Sequence, residues 1–210
     1  MNGFKHGDHV CSLYDTQEEQ IAVATAYVAE GLNRGERCLY VADSPTALYL
    51  FCESLDRFGV DSRGAVDKGA LLLATKHEAH LIDGRFDCER MLRLLGDAVE
   101  KALDDGFVGL RTCGDMSWLL DNAPGSTQVV EYESLLSQFF QSVRAVGMCQ
   151  YDRRRVQAAL VDHALATHPT VVVEKRHKHN PFYVPGMAKM PVPLEHEELE
   201  WKFAQLREQS

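Results

Sequence analysis

The sequence predicts an α/β fold: a mainly parallel sheet with helices on both faces, followed by a separate C-terminal helix. Three observations predict it. Apolar runs of strand length alternate with stretches whose apolar residues recur at helical spacing, capping and turn signals separate the two, and a proline-containing break after residue 180 sets the last helix apart.

The first strand is residues 9–14, a short apolar run that leads into Asp15-Thr16-Gln17-Glu18-Glu19, where Thr16 and Glu19 have capping-box spacing. The helix that follows carries Ile21, Ala24, Val28 and Leu32 on one face and stops at Gly35. Residues 38–42 form the second strand and complete a βαβ unit. Ser44-Pro45 reads as an N-cap with a first-turn proline, opening a helix with Leu48, Cys52 and Leu55 inward and Gly59 past its end. The third strand is residues 70–74. A helix over 87–104 presents Met91, Leu94, Leu95, Ala98 and Ala102, and the fourth strand is 107–112. Val129, Tyr132, Leu136, Phe139 and Val143 mark the next helix face, ahead of a strand at 145–150, a helix at 153–167 and a last strand at 170–174. Residues 1–186 make the main domain, and residues 187–210 a proline-containing linker and a charged helix. In that helix Leu199, Phe203 and Leu206 form a stripe suited to its own domain, a second copy of the chain in a homodimer, or a partner.

The chain has 210 residues, 45% of them hydrophobic and 25% charged, enough for one sizeable core. Its formal net charge of −9 opposes direct nucleic-acid binding, which depends on clustered Lys and Arg neutralising phosphates. No apolar run nears the roughly 20 residues needed to span a bilayer, so no membrane association and a cytoplasmic location are expected. The six cysteines are scattered without a C-x-x-C pair, as reduced thiols acting as small hydrophobes are.

In an open parallel sheet, ligands bind outside the carboxyl ends of the strands. Those ends fall at Tyr14-Asp15, Asp43-Ser44, residues 111–118 and Gln150-Tyr151-Asp152, all rich in polar and aromatic groups. The first strand-to-helix turn is where a nucleotide-binding protein of this class carries a glycine-rich loop with a lysine. Here it reads Tyr14-Asp15-Thr16-Gln17-Glu18-Glu19-Gln20, with no glycine, no lysine and three acidic side chains. Hydrolysis of a nucleotide by the phosphate-loop route is therefore not expected. His9 with Cys11, His77 with His80 and His177 with His179 lack the spacing of a closed zinc site, so no metal is expected, and His177 and His179 read as a solvated loop. No G-x-S-x-G or similar nucleophile signature is present, although Cys149 and His9 would meet if their strands were neighbours.

Six ordered segments carry a family resemblance: Gly7 to Cys11, Glu30 to Cys38, Asp83 to Asp87, Gly114 to Trp118, Cys149 to Asp152 and Asn180 to Pro185. Together they resemble the MEDS sensory domain of methanogen and methylotroph regulators. The resemblance implies a RecA/KaiC-like three-layer sandwich without the Walker A phosphate loop. It also implies a non-catalytic input module for a small molecule such as a simple hydrocarbon derivative, acting in prokaryotic signal transduction or transcriptional control. Partners implied are a histidine kinase, a sigma-factor regulator or a DNA-binding regulator. Two positions depart from the family pattern: Asp115 stands where a glutamate is usual, and His80-Leu81 where Tyr-Leu is usual.

Strand-end position and the resemblance together give the expected ligand-binding residues His9, Cys11, Tyr14, Asp15, Arg111, Asp115, Met116, Trp118, Gln150, Tyr151 and Asp152, with no catalytic residue and no cofactor. Tyr14 and Tyr151, on strands that neighbour each other in RecA-like sheets, are expected to wall one pocket that Trp118 roofs. For several of these a structural role competes: a hydrogen-bonded histidine for His9, core packing for Trp118, a helix cap for Asp152. Asn180-Pro181 with Tyr183 is expected to close the fold over the sheet edge. Alternative functions are a protein-interaction scaffold of anti-sigma or kinase-partner type, a nucleotide-binding domain, and a cysteine-dependent enzyme using Cys149, Cys11 or His9.

Overall fold

The computed structural model describes residues 3–186 and 196–208. Its strands are β1 (His9–Tyr14), β2 (Arg37–Ala42), β3 (Leu71–Thr75), β4 (Leu110–Asp115), β5 (Ala145–Asp152), β6 (Thr170–Val173) and β7 (Arg176–His179). The helices are α1 (Gln17–Asn33), α2 (Pro45–Arg57), α3 (Ser62–Asp67), α4 (Cys88–Asp104), α5 (Val129–Ser142), α6 (Ala158–Thr167) and α7 (His196–Glu208). They build one sheet in the order β3-β2-β4-β5-β1-β6-β7, parallel throughout except where β7 pairs antiparallel with β6.

Right-handed crossovers decide which face each helix covers. From β1 the chain moves over β5 and β4 to β2 and on to β3, then reverses direction for β4, β5 and β6. The reversal puts α1 and α2 on one face and α4, α5 and α6 on the other. Two cores follow, one with Val23, Tyr27, Phe51 and Leu55 and one with Met91, Leu95, Leu136 and Val161. Because side chains alternate along a strand, β1 sends His9, Cys11 and Leu13 to the α5/α6 face and Val10 to the α1/α2 face. Helix α7 docks beside α6, burying Leu199, Phe203 and Leu206 in the α4–α6 core, so its apolar stripe is covered by its own chain. The linker expected at 187–195 lies outside the described residues.

Four local readings differ from the structure. The fourth strand begins at Leu110, not Phe107, because Phe107 N–H closes the end of α4 on the Ala102 carbonyl and Gly106 turns the chain at φ 86°. Helix α6 begins at Ala158, not Arg153, because Asp152 Oδ1 accepts from the N–H groups of Arg154 and Arg155 and holds them in a turn. Helix α3 went unread; Asp61 caps it by accepting from Gly64 N at 2.9 Å. His177 and His179 belong to strand β7, not to a loop. Glu174 and Lys175, both left-handed at φ 52° and 63°, form the two-residue turn into it, without the Asn-Gly that usually signals one.

Candidate functional site

The chain reverses direction between β1 with β5 and β2 with β4, and a crevice opens above those strand ends, as expected at a topological switch point. It is a cleft of about 350 Å³ whose walls include Tyr14 at the end of β1, Asp43 after β2, Lys76 after β3, Asp115 ending β4 and Asp152 ending β5. Each side chain is there because its strand stops there.

Thr16 caps α1 as its spacing from Glu19 predicts, but the return bond from Glu19 falls on Asp15, one residue before the cap, rather than on Thr16 as in a capping box. Thr16 Oγ1 accepts from Glu19 N at 3.2 Å and Glu19 Oε2 accepts from Asp15 N at 3.0 Å. Two N–H groups that a phosphate-binding turn would offer to a ligand are thus already engaged, one by the Thr16 hydroxyl and one by the Glu19 carboxylate.

Four carboxylates (Asp43, Asp115, Asp121, Asp152) face two cations (Lys76, Arg155) around the cleft. Lys76 Nζ bridges Asp43 at 2.8 Å and Asp121 at 2.7 Å. Burial alone would lower its pKa, but these contacts outweigh it and raise it, so Lys76 is charged and already paired. Among the described residues, Asp115 has no cation partner in its hydrogen bonds. Its Oδ1 accepts from Tyr14 OH at 3.3 Å and from Ser117 N at 2.9 Å, while burial and then the nearby Asp43 charge lift its pKa against the hydrogen bonds that lower it. Burial and the same Asp115 charge also raise the Tyr14 phenol, which stays protonated and able to donate. The floor of the cleft is therefore an acidic side chain short of positive charge.

The other expected residues disperse. Asp15 sits beside the cleft in a bidentate pair with Arg153, at 2.9 and 3.0 Å; burial alone would raise its pKa, but Arg153 and Arg154 lower it. Arg153 also bonds Glu200 and stacks 3.9 Å over Phe203, which ties α7 to the turn after β1. Gln150 is buried beneath the cleft, donating to the Gln20 carbonyl at 3.1 Å. Met116 turns into the core and lines a small, mostly apolar cavity of about 30 Å³ with His80 and Cys149.

Three expectations are corrected. Arg111 is not at a carboxyl strand end; with β4 starting at Leu110, it lies at the opposite end of the sheet, buried under α1 against Glu36, Glu30 and Tyr27. Tyr14 and Tyr151 do not wall one pocket. Tyr14 pairs in register with Asp152 and Tyr151 with Leu13, so the two phenols point to opposite faces of the sheet. Trp118 roofs nothing; it is fully buried in the core between Phe86 and His80, with ring centroids 4.5 and 5.4 Å away.

On the α5/α6 face, His9 and Tyr151 meet Glu133, Cys149 and His168, with Cys11 beside Cys149 on the neighbouring strand. Glu133 and His168 were missed in the sequence. The available signal was Glu133 itself, an acidic residue set beside Tyr132 and Leu136 on the inward side of α5. Asn180 has the structural role expected of it, donating to the carbonyls of Leu165 at 2.6 Å and His168 at 2.7 Å.

No helix among the described residues is long and apolar enough to cross a membrane. Among solved structures, the chain is similar to a KaiC-like protein from the hyperthermophilic archaeon Pyrococcus horikoshii OT3. The match has 12% identity and a TM-score of 0.57 and covers 80% of this chain and 71% of that one. At that identity the likeness shows the fold alone: a KaiC-like, RecA-type α/β sandwich. No curated protein matches the chain. The model of a sensory domain matches residues 8–169, a span that includes β1 to α6 and every wall of the cleft. The chain belongs to the MEDS family, the methanogen/methylotroph, DcmR sensory domain.

Proposed function

We propose that this sensory domain is non-catalytic and that the cleft above β1, β2, β4 and β5 binds a small molecule bearing a cationic or hydrogen-bond-donating group. A simple hydrocarbon derivative with an amine or hydroxyl, such as a methylated amine or a small alcohol, has that chemistry. The observation that carries the reading is Asp115: a buried carboxylate at a switch point, held by Tyr14 and Ser117 and facing a cleft with more acids than bases. Phosphates suit this cleft poorly, since its two cations are outnumbered and Lys76 is already shared by two aspartates.

The scaffold reading loses its main support in α7, whose three apolar side chains are buried against their own chain. The output route this leaves is the Asp15–Arg153–Glu200 link, which joins the rim beside the cleft to α7. A histidine kinase, a sigma-factor regulator or a DNA-binding regulator would then read the seating of that helix in a prokaryotic signalling or transcriptional circuit.

A ligand that binds only the folded state adds RT ln(1 + [L]/Kd) to stability, so melting shifts test the proposal. Methylated amines or small alcohols are expected to raise the midpoint, and nucleotides with magnesium to leave it unchanged. In Asp115→Asn the response should weaken by about 10- to 100-fold in apparent Kd, as loss of a charged hydrogen bond implies. The same variant should be more stable without ligand at neutral pH. A carboxyl whose folded pKa is raised loses stability as pH climbs from the ordinary aspartate value of 3.8 through the raised one, and asparagine has no such loss. A less stable variant with an undiminished response would overturn the assignment.

A further inference from the structure

The face of the sheet opposite Tyr14 holds a second polar site, wholly buried beneath α5 and α6. His9 from β1, Glu133 from α5, Cys149 from β5 and His168 from the end of α6 each point one donor atom inward, and the four atoms lie within 4.8 Å of one another. His9 Nε2 is 3.3 Å from Glu133 Oε2, His168 Nε2 is 3.3 Å from the same oxygen, and Cys149 Sγ is 3.7 Å from His9 Nε2. A tetrahedral ion with bonds of roughly 2.0 to 2.3 Å needs its ligand atoms about 3.3 to 3.8 Å apart.

The surrounding bonds fix what each inner atom is. Ser137 gives its hydroxyl proton to the Thr167 carbonyl at 2.8 Å, so it accepts from His9 Nδ1 at 3.0 Å and leaves the His9 Nε2 lone pair facing the cluster. His168 Nδ1 donates to the Ala164 carbonyl at 2.7 Å, which turns its Nε2 lone pair inward too. Tyr151 OH donates to Glu133 Oε1 at 2.6 Å and orients the other carboxylate oxygen toward the imidazoles. Two lone pairs and a carboxylate oxygen thus converge with one thiol, and Glu133 Oε2 and His168 Nε2 have no hydrogen-bond partner among the described residues. Buried acceptors facing one another are costly unless something positive lies between them. Imidazoles whose second nitrogen is held by a carbonyl or hydroxyl, beside a carboxylate held by a phenol, have the outer-shell pattern of metal ligands.

We propose that His9, Glu133, Cys149 and His168 form a four-ligand site for a divalent transition metal of the zinc class. The mix of two imidazoles, one thiolate and one carboxylate oxygen favours such an ion over magnesium or calcium. Charge agrees: when the ion binds, Cys149 releases its proton to solvent, and thiolate with carboxylate balance the dication inside the core. The imidazole rings lie 3.7 Å apart between centroids and are tilted by 36°, so loading must splay them. A surface cleft of about 290 Å³ reaches Ser137 and Thr167, one hydrogen bond from His9, and provides a route in.

The test is spectroscopic, on the full chain stripped of metal with a chelator and titrated with Co²⁺. One equivalent should bind, giving intense visible bands of four-coordinate cobalt and a near-ultraviolet thiolate-to-metal band, and Zn²⁺ should displace it. The thiolate band should vanish in Cys149→Ser. Tyr151→Phe, which keeps the ring and removes only the bond to Glu133, should weaken Zn²⁺ binding by about 10- to 100-fold while leaving the cobalt spectrum four-coordinate. The site is refuted if folded wild-type chain takes up no stoichiometric cobalt, or takes it up with no thiolate band. Neither result bears on the rim cleft, whose ligand response is read in metal-free chain with Asp115→Asn as its control.

Discussion

Replacing Arg111 with alanine is expected to lower the unfolding free energy by about 3–5 kcal/mol, as removal of one member of a buried ion pair does. Arg111 is fully buried; its Nε donates to Glu36 at 2.5 Å, its Nη1 reaches the Tyr27 carbonyl and Glu30, and its guanidinium lies 4.5 Å over the Tyr27 ring. Without it, the buried Glu36 is left, among the described residues, with His6 and the longer contact to Arg34 at 3.7 Å. Urea unfolding read by circular dichroism measures the loss. Gly31 supplies an internal check, since a Cβ there would lie 2.5 Å from Arg111 Cδ. Gly31→Ala should destabilise the wild type and do so less in the Arg111→Ala background, a non-additivity expected of groups in contact. If Arg111→Ala instead left stability unchanged and altered ligand response, Arg111 would have to return to the binding site.

Trp118→Ala is expected to lower stability by a similar amount, about 3–5 kcal/mol, through the cavity left between Phe86 and His80. Trp118→Phe should be far milder. It keeps the stack on Phe86 and deletes an indole N–H that has no hydrogen-bond partner. Burial holds His80 down to about 4, so the ring stacked on the other face of Trp118 is neutral near pH 7; the cavity relieves that burial, so the alanine variant should be destabilised no more at pH 6, where unfolded imidazole takes up a proton, than at pH 8. Denaturant midpoints for both variants at the two pH values check this. A cost below 1 kcal/mol for the alanine variant would contradict a core role.

The contrast between these two residues and Tyr14, Asp115 and Asp152 shows what the sequence made legible. Strand and helix order followed from periodicity because a doubly covered parallel sheet needs apolar runs between amphipathic helices. The Thr16 cap of α1 was readable because it and its partner Glu19 lie within one turn. Arg111 was misplaced by a three-residue error in where β4 begins, and in a sheet such a shift moves a residue from one end toward the other. Tyr14 and Tyr151 were correctly placed on adjacent strands, but facing direction depends on register, and Leu13 rather than Tyr14 proved to be the partner of Tyr151. The His9, Glu133, Cys149 and His168 cluster joins four separate segments, so no local spacing announced it. The neighbouring of β1 and β5, which brings His9 and Cys149 together, was open to inference only through the resemblance to RecA-like sheets.

On the proposed function, the upper edge of the sheet recognises a small donor-bearing molecule through Asp115. A crystal structure of the chain grown with the amine or alcohol that gives the largest melting shift tests it most directly. The molecule is expected between Tyr14, Asp43 and Asp115, with its amine or hydroxyl on the Asp115 carboxylate. Density for it elsewhere, with the Asp115 cleft empty, would rule out recognition by Asp115.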